Sequence, residues 1–484
     1  MHKDVVIVGA GISGIAAGYN LKKTCSNKSF CILEGRDDIG GTWDLFKYPG
    51  IRSDSDMHTL GYRFKPWIHD KSIADGPSIL EYIKETIEEN DLRKDILVNH
   101  KVKSSNWNSH KNVWELEIDE NDKLKHITCN FLFLCGGYYS YTKPHMPSFK
   151  NQENFIGQII HPQFWSDDVD YVDKKIAVIG SGATAITIVP AISERAKHVT
   201  MIQRSPTYVV SGPSEDKINK FLRKFLPTKI TYFLIRWKNI LWQSFTFSLA
   251  RKYPERTKNK ILDLIKDELG EDYDIDKHFT PSYKPWDQRI CLVPDSDLFK
   301  AIAEKKASVV TDTIDKFQSD GILLKSGEKV KADLIITATG IKLNSLNDIN
   351  VTLDGIKLDP HERLTYKGMM LSGVPNFAIS FGYVNASWTL RADLTCEYVC
   401  RLIKLMDKKG TACCKPIDDK SAYGDDKLID FTSGYFQRGL HLMPKQGNKA
   451  PWKNYQNYLK DIFAVRLFSI KDSNLKFYGK KNNY

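Results

Sequence analysis

Two stretches of this 484-residue chain run from a strand into a glycine-rich turn, and that pairing constrains the fold more than anything else in the sequence. The first is D-V-V-I-V-G-A-G-I-S-G, Asp4 to Gly14. Its unbroken apolar run suits a parallel strand buried on both faces. The glycines have separate mechanical tasks. Gly9 makes the tight turn, Gly11 lets backbone approach a pyrophosphate, and Gly14 lets the next helix pack closely on the strand. That helix points free N–H groups and the positive end of its dipole at the phosphates. Twenty residues past Gly14, the apolar run Phe30 to Leu33 ends in Glu34, where a carboxylate would meet ribose hydroxyls. A lone glycine motif is weak, but strand, turn, helix, strand and acid in register define a dinucleotide-binding unit.

The second stretch, K-K-I-A-V-I-G-S-G-A-T-A, spans Lys174 to Ala185 and repeats the motif with Gly180, Gly182 and Ala185. Its next strand, His198 to Ile202, leads into Gln203, Arg204 and Ser205 rather than an acid. An arginine and a hydroxyl there favour a 2′-phosphate, so the second unit prefers NADP(H) over NAD(H). Between the units lies F-I-G-Q-I-I-H-P-Q-F-W, Phe155 to Trp165. The expected fold is α/β, with two Rossmann-like, three-layer dinucleotide domains and a helical insertion in the second. Residues 1–145 and 342–484 form the first domain, 152–210 and 286–341 the second, and 211–285 the insertion.

The remaining segments add candidate chemistry. G-G-T-W-D-L-F-K-Y-P-G-I-R-S-D, Gly40 to Asp54, is too rich in Gly and Pro for a regular element. It reads as a loop close to a ligand, with Gly41, Thr42, Trp43, Arg52 and Asp54 as its groups; the bland alternative is an Arg52–Asp54 charge pair on the surface. From Ser211 to about Tyr283, aromatic and basic residues alternate without strand punctuation, which predicts two to four helices. Phe225, Tyr232, Phe233, Trp237, Trp242, Phe245 and Phe247 are expected to pack as its core, because aromatic stripes at helical spacing usually do. An apolar substrate cavity or a basic face on a membrane surface are the competing readings. The basic tail after about Ala412 has no legible element.

Composition excludes several classes. No window of about 18 apolar residues occurs, so no membrane span is expected. The N-terminus enters its first strand at once, without a signal peptide, and nine cysteines read as reduced thiols; the expected location is cytoplasmic. The net charge of +11 favours anionic partners, a preference that phosphate-rich cofactors satisfy without nucleic acid. No metal is expected.

The paired glycine turns with F-x-G-x-x-x-H-x-x-x-W between them resemble the flavin-dependent Baeyer–Villiger monooxygenases, and among these the ethionamide-activating type. Y-K-G-M-M-L-S-G, P-W-D-Q-R and G-Y-V-N-A-S-W-T-L extend the likeness over most of the chain. The resemblance implies that Gly9, Gly11, Gly14 and Glu34 hold FAD, with Gly41, Thr42, Trp43 and Asp54 nearby. It implies that Gly180, Gly182, Thr184, Arg204 and Ser205 hold NADPH. Arg289 matches the family's active-site arginine, Asp54 the carboxylate that positions it, and His161 a residue coupling nicotinamide binding to domain movement. Two positions depart from the pattern. Ser166 follows the Trp where Pro or Asp is usual, and Gln288 stands where Lys often precedes the arginine, leaving more of the 2′-phosphate grip to Arg204.

The implied reaction is insertion of one atom of O2 into a ketone through a peroxyflavin, giving an ester or lactone, with sulfide oxidation as a side activity. Small-molecule ketones or sulfides and O2 are then the partners. Arg289 would remain a fixed positive charge beside developing negative charge. Two other classes stay open: an N- or S-hydroxylating flavin monooxygenase, and a two-dinucleotide reductase with a redox cysteine pair. For the latter, Cys396 and Cys400 lie one helical turn apart, but the chain has no C-x-x-C.

Overall fold

A computed structural model describes residues 1–417, 419–424, 427–429 and 431–480. Two sheets carry the two glycine turns. The first has nine strands, and its central member, Lys123–Leu134, explains its shape. Along one edge this strand pairs in parallel with His2–Val8, followed by Phe30–Leu33 and Ile96–Leu97. Its other edge is shared. The N-terminal half pairs antiparallel with Val113–Glu120 and the C-terminal end pairs in parallel with Phe377–Ile379. Burial follows the fork. The first half is largely exposed or alternating, while the last four residues, between two parallel neighbours, are all buried.

The second sheet is wholly parallel, in the order Ala307–Thr311, His198–Gln203, Lys175–Ile179, Leu334–Thr337, Gln158–Ile160. Lys175–Ile179 and Leu334–Thr337 are almost entirely buried, between helices on one face and the antiparallel strands Ile314–Gln318, Gly321–Leu324 and Lys329–Lys331 on the other. The edge strand Gln158–Ile160 comes from the joining segment, so that segment is part of the second sheet before it leaves for the first.

Local details depart from the sequence expectations in the Gly- and Pro-rich loop and in the tail, and the insertion's helices agree with them. The Gly- and Pro-rich loop contains one helical turn, Thr42–Leu45. The tail forms a hairpin-like pair, Thr411–Pro416 with Leu475–Lys480, and a short helix, Gly434–Gly439. The insertion holds four helices, Lys217–Leu222, Thr228–Lys252, Pro254–Leu269 and Ile275–His278, closed at its base by the parallel pair Val209–Gly212 and Cys291–Pro294.

The insertion's expected aromatic core is overturned. Tyr232 is buried and Trp237 and Phe247 are half-buried, but Phe225 is 70% exposed, Phe233 59%, Trp242 64% and Phe245 58%. The physical reason is the docking of Thr228–Lys252 on the first domain through buried Tyr232, Ile235 and Ile240 and through polar contacts. Tyr232 Oη donates to the Tyr62 carbonyl at 2.8 Å, and Arg236 Nη1 donates to the His58 and Gly61 carbonyls at 2.7 Å. These contacts orient the opposite, aromatic face outward. No helix among the described residues is long and apolar enough to cross a membrane.

Candidate active site

A cavity of about 450 Å³ runs from the first glycine turn to the helix after the second. At its floor, the first turn is tight for identifiable reasons. Gly9 has φ +100°, and a Cβ on Gly14 would sit 1.8 Å from the Gly9 carbonyl oxygen. The helix Ile12–Thr24 therefore starts hard against the turn, and a side chain at either position would push them apart. Glu34 ends the adjacent strand and closes the turn: its Oε2 accepts from the Ala10 N–H at 2.8 Å and its Oε1 from the Arg36 N–H at 3.0 Å. Burial raises the Glu34 carboxyl above its ordinary range, and the two backbone donors pull in the opposite direction.

The Gly40–Gly41 turn stacks on the first one. The Gly40 N–H donates to the Ala10 carbonyl at 3.1 Å, and a Cβ on Gly41 would meet Gly11 Cα at 3.0 Å. Thr42 Oγ1 lies 2.6 Å from Tyr139 Oη, and Trp43 lines the cavity beside them. The alternative reading, an Arg52–Asp54 charge pair, does not form. Arg52 instead pairs with Asp297, at the start of the helix Asp297–Ala303. That leaves Asp54 to Arg289.

Arg289 and Asp54 meet across the two domains with a two-point geometry. Arg289 Nε lies 2.8 Å from Asp54 Oδ2, and Nη2 donates to Oδ1 at 2.9 Å. The planar fork matches the carboxylate, fixing the direction of the guanidinium. Asp54 raises the Arg289 pKa above its already high ordinary value, so the group carries a permanent positive charge. Both residues line the cavity, with Tyr138 and Tyr435 near the guanidinium.

The second glycine turn opens toward solvent. A Cβ on Gly182 would find nothing within 4 Å, whereas Gly180, at φ +141°, packs against the Ala338 carbonyl. Helix Ala183–Ser193 follows, and Ala183, Ile186 and Thr187 line the cavity. Thr184 hydrogen-bonds Tyr48, whose phenol burial pushes up to about 12. Arg204 and Ser205 are exposed beyond the strand end, and Ser181 Oγ donates to the Ser205 carbonyl at 3.0 Å, tying that loop to the turn.

His161 stands outside the cavity lining. It is buried, its Nδ1 accepts from the Gln163 N–H at 3.1 Å, and its Nε2 has no partner. Burial lowers its pKa to about 4, so the imidazole is neutral near pH 7. Trp165 packs against the core of the second domain, 6.0 Å from the Tyr171 ring.

Sequence reasoning missed several residues. Gln163 Nε2 donates to the Ser140 and Tyr141 carbonyls at 3.1 and 2.8 Å, so the joining segment is bonded to the cavity wall two residues beyond His161. Trp388 Nε1 donates to Ser13 Oγ at 2.7 Å, linking the helix Trp388–Lys409 to the first turn. Phe431, Tyr435 and Phe436 bring the tail into the cavity. Arg438, on the same tail helix, approaches Arg204; partial burial and that neighbouring guanidinium lower its pKa. No motif signals these tail residues. Cys396 and Cys400 are buried free thiols, with Cys396 pushed up by burial, an environment unlike that of an exposed redox pair.

Two dinucleotide-type turns facing one cavity, with a fixed cation between them, define a two-nucleotide oxidoreductase. A family model for flavin-binding monooxygenase-like proteins matches residues 63–344, and one for NAD(P)-binding Rossmann-like domains matches residues 7–69. The chain is 50% identical over 477 residues to the FAD-containing monooxygenase EthA of Mycobacterium tuberculosis, covering 98% of both. It is 47% identical to the probable FAD-binding monooxygenase AlmA of an Acinetobacter species, covering 99% of this chain and 96% of that one. A steroid monooxygenase solved with NADP has a TM-score of 0.80 at 22% identity, covering 99% of each chain. Cyclohexanone monooxygenase bound to ε-caprolactone gives 0.76 at 18%, covering 99% and 100%. The chain belongs to the flavin-binding monooxygenase-like family. The expected enzyme class, an NADPH-dependent flavin monooxygenase with FAD as its cofactor, stands with that membership.

Proposed function

We propose that the protein uses NADPH and O2 to insert one oxygen atom into a ketone, releasing an ester or lactone, NADP+ and water, and that it oxidises sulfides as a side activity. The observation that carries this reading is the two-point Arg289–Asp54 pair in a cavity that runs from the first glycine turn to the helix after the second.

The residues fit the two cofactors. Bound FAD supplies the redox chemistry, taking hydride from NADPH and activating dioxygen. Residues 1–145 and 342–484 form the FAD-binding domain in this reading. The Gly9–Gly11–Gly14 turn and the helix N-terminus after it receive the pyrophosphate. Glu34 already accepts from the turn's Ala10 N–H and from the Arg36 N–H, so it holds the turn's shape while facing the ribose. Gly41, Thr42 and Trp43 cover the cofactor, and Asp54 holds the arginine. Residues 152–210 and 286–341 take NADPH, with 211–285 as an insertion; the bare Gly182 backbone receives its pyrophosphate, beside Thr184. Arg204 and Ser205 face the 2′-phosphate, and the approach of Arg438 supplies a second cation where Gln288 supplies none.

Arg289 acts as a fixed cation that stabilises negative oxygen developing in the cavity. Asp54 sets its direction, at the cost of opposing part of its field. Aromatic walls from Trp388, Phe431 and Phe436 exclude water and favour apolar substrates. His161, neutral and bonded to Gln163, is the positioning residue that links the second sheet to the Tyr141 wall. The test is purified holoenzyme with NADPH, a linear ketone and isotopically labelled dioxygen. Labelled ester supports the proposal; sulfoxide or hydroxylated amine with no ester overturns it in favour of heteroatom oxygenation.

A further inference from the structure

The long insertion helix carries large apolar side chains on both faces. A surface helix ordinarily turns its apolar stripe to the core and its polar face to water. Along Thr228–Lys252, the face toward the first domain buries Tyr232, Ile235 and Ile240 and is fixed in place by polar groups. Arg236 bonds backbone carbonyls and sits 3.3 Å from Asp393, while the Asn239 and Gln243 amides both donate to the Asp56 carboxylate, at 2.8 and 2.9 Å. Ile230, Phe233, Leu234, Leu241, Trp242 and Phe245 recur at helical spacing on the outward face and are all exposed. The preceding helix adds exposed Phe221, its ring tilted against that of Phe225 at 5.2 Å. An apolar stripe of this extent, held outward by specific polar bonds, marks a contact surface.

Charge identifies what it contacts. Residues 217–260 contain twelve Lys and Arg against a single acid, Glu255, a net charge of +11. That equals the net charge of the whole chain, so the other 440 residues sum to zero. Five of these twelve, Lys220, Arg223, Arg236, Lys238 and Arg251, pair with acids outside the segment, and the others supply its basic surface. Lys217, Lys224, Lys229, Arg256, Lys258 and Lys260 have no acid partner among the described residues. Basic residues around an aromatic stripe match an anionic bilayer: the rings enter the headgroup boundary while the cations meet lipid phosphates. A second copy of the chain fits poorly, because two-fold pairing through this face would oppose +11 to +11.

We propose that residues 217–260 dock the enzyme on an anionic phospholipid surface, with Phe233, Trp242 and Phe245 inserted and Lys224 and Lys229 at the lipid phosphates. The proposal needs no membrane-crossing helix, and it stands apart from the oxygenation reading because no residue in it lines the cavity.

Flotation of the full-length holoenzyme with vesicles of phosphatidylcholine and phosphatidylglycerol in equal parts tests it. The wild type is expected to float with these vesicles, to stay behind with phosphatidylcholine alone, and to be released by high salt. A Phe233→Ser, Trp242→Ser, Phe245→Ser variant is expected to keep its Tm and NADPH oxidation and to bind at least about ten-fold more weakly, since three buried rings are lost. Lys224→Gln with Lys229→Gln is expected to weaken binding about 25-fold, at about five-fold per charge. Brominated lipid in the same vesicles is expected to quench wild-type tryptophan emission more than that of Trp242→Phe. Absence of wild-type flotation, or equal flotation by the serine variant, overturns the proposal. So does equal quenching of Trp242→Phe. A concentration-dependent dimer that the serine substitutions abolish, without vesicle binding, makes a second copy the occupant and also overturns it.

Discussion

Replacing Arg289 by alanine removes a permanent charge fixed at the cavity wall, and its cost can be estimated from the pair's geometry. A unit positive charge about 4 Å from a developing oxyanion contributes about 4 kcal/mol at an effective permittivity of about 20. Asp54 lies behind the guanidinium, about 8 Å from such an anion, and takes back about 2 kcal/mol. The net contribution of about 2 kcal/mol corresponds to about 30-fold in the oxygenation step. The assay is ester formed per NADPH consumed, with peroxide measured in parallel. Arg289→Ala is expected to lower ester yield by at least that factor and to divert the consumed NADPH to peroxide. Arg289→Lys keeps the charge but satisfies only one Asp54 oxygen, so it should fall between the two. Asp54→Asn keeps an acceptor and removes the opposing charge, so it should lose less than Arg289→Ala. An alanine variant retaining more than half of the wild-type ester per NADPH refutes the electrostatic role.

The two glycine turns should respond oppositely to the same change. Gly14→Ala places a methyl 1.8 Å from the Gly9 carbonyl and is expected to abolish flavin retention and lower Tm; Gly182→Ala meets nothing within 4 Å and should raise the KM for NADPH while leaving Tm within a degree or two. Absorbance of the purified proteins and thermal melts decide both. Arg438→Ala is expected to raise the KM for NADPH about ten-fold and to leave flavin content unchanged, by loss of a charged contact to the 2′-phosphate; an unchanged KM assigns the whole grip to Arg204. His161 is neutral in the fold down to about pH 4 but protonates near pH 6.5 when unfolded. Stability tied to it is thus full above pH 6.5 and is lost as pH falls toward 4, up to about 3 kcal/mol. Melts of His161→Gln should show a shallower acid decline across that window, and an identical decline assigns it to other groups.

What the sequence carried, it carried through local chemistry. Gly9, Gly14 and Gly180 are legible because a turn and a close helix approach leave room for nothing larger, and those demands are met within a dozen residues. Arg204 is legible as a position past a strand end. The Arg289–Asp54 pairing spans 235 residues and was reachable only through likeness to a family; periodicity carries no such information. Arg52 shows the difference well. Proximity in sequence suggested Asp54 as its partner, but folding brings Asp297 to it and frees Asp54 for the cavity. The tail residues Tyr435 and Arg438 lie in a segment without periodicity, so their arrival beside Arg289 and Arg204 had no local signal.

The insertion failed for a more general reason. Helical spacing of aromatics identifies a stripe but not the side on which the core lies. That side is chosen by what the opposite face can bond. Here Arg236 reaches the carbonyls of His58 and Gly61, and Asp56 collects Asn239 and Gln243, all from the short segment beginning two residues after Asp54. The loop that carries the cavity carboxylate therefore continues directly into the anchor of the insertion helix. Arg236 and Asp56 therefore tie the helix that bears the outward aromatic face to the backbone that continues from Asp54. Burial holds the Asp393 carboxyl up at about 6 despite its pairing with Arg236. The insertion helix and the loop that carries the cavity carboxylate thus share one anchor, and Arg236 is its central side chain.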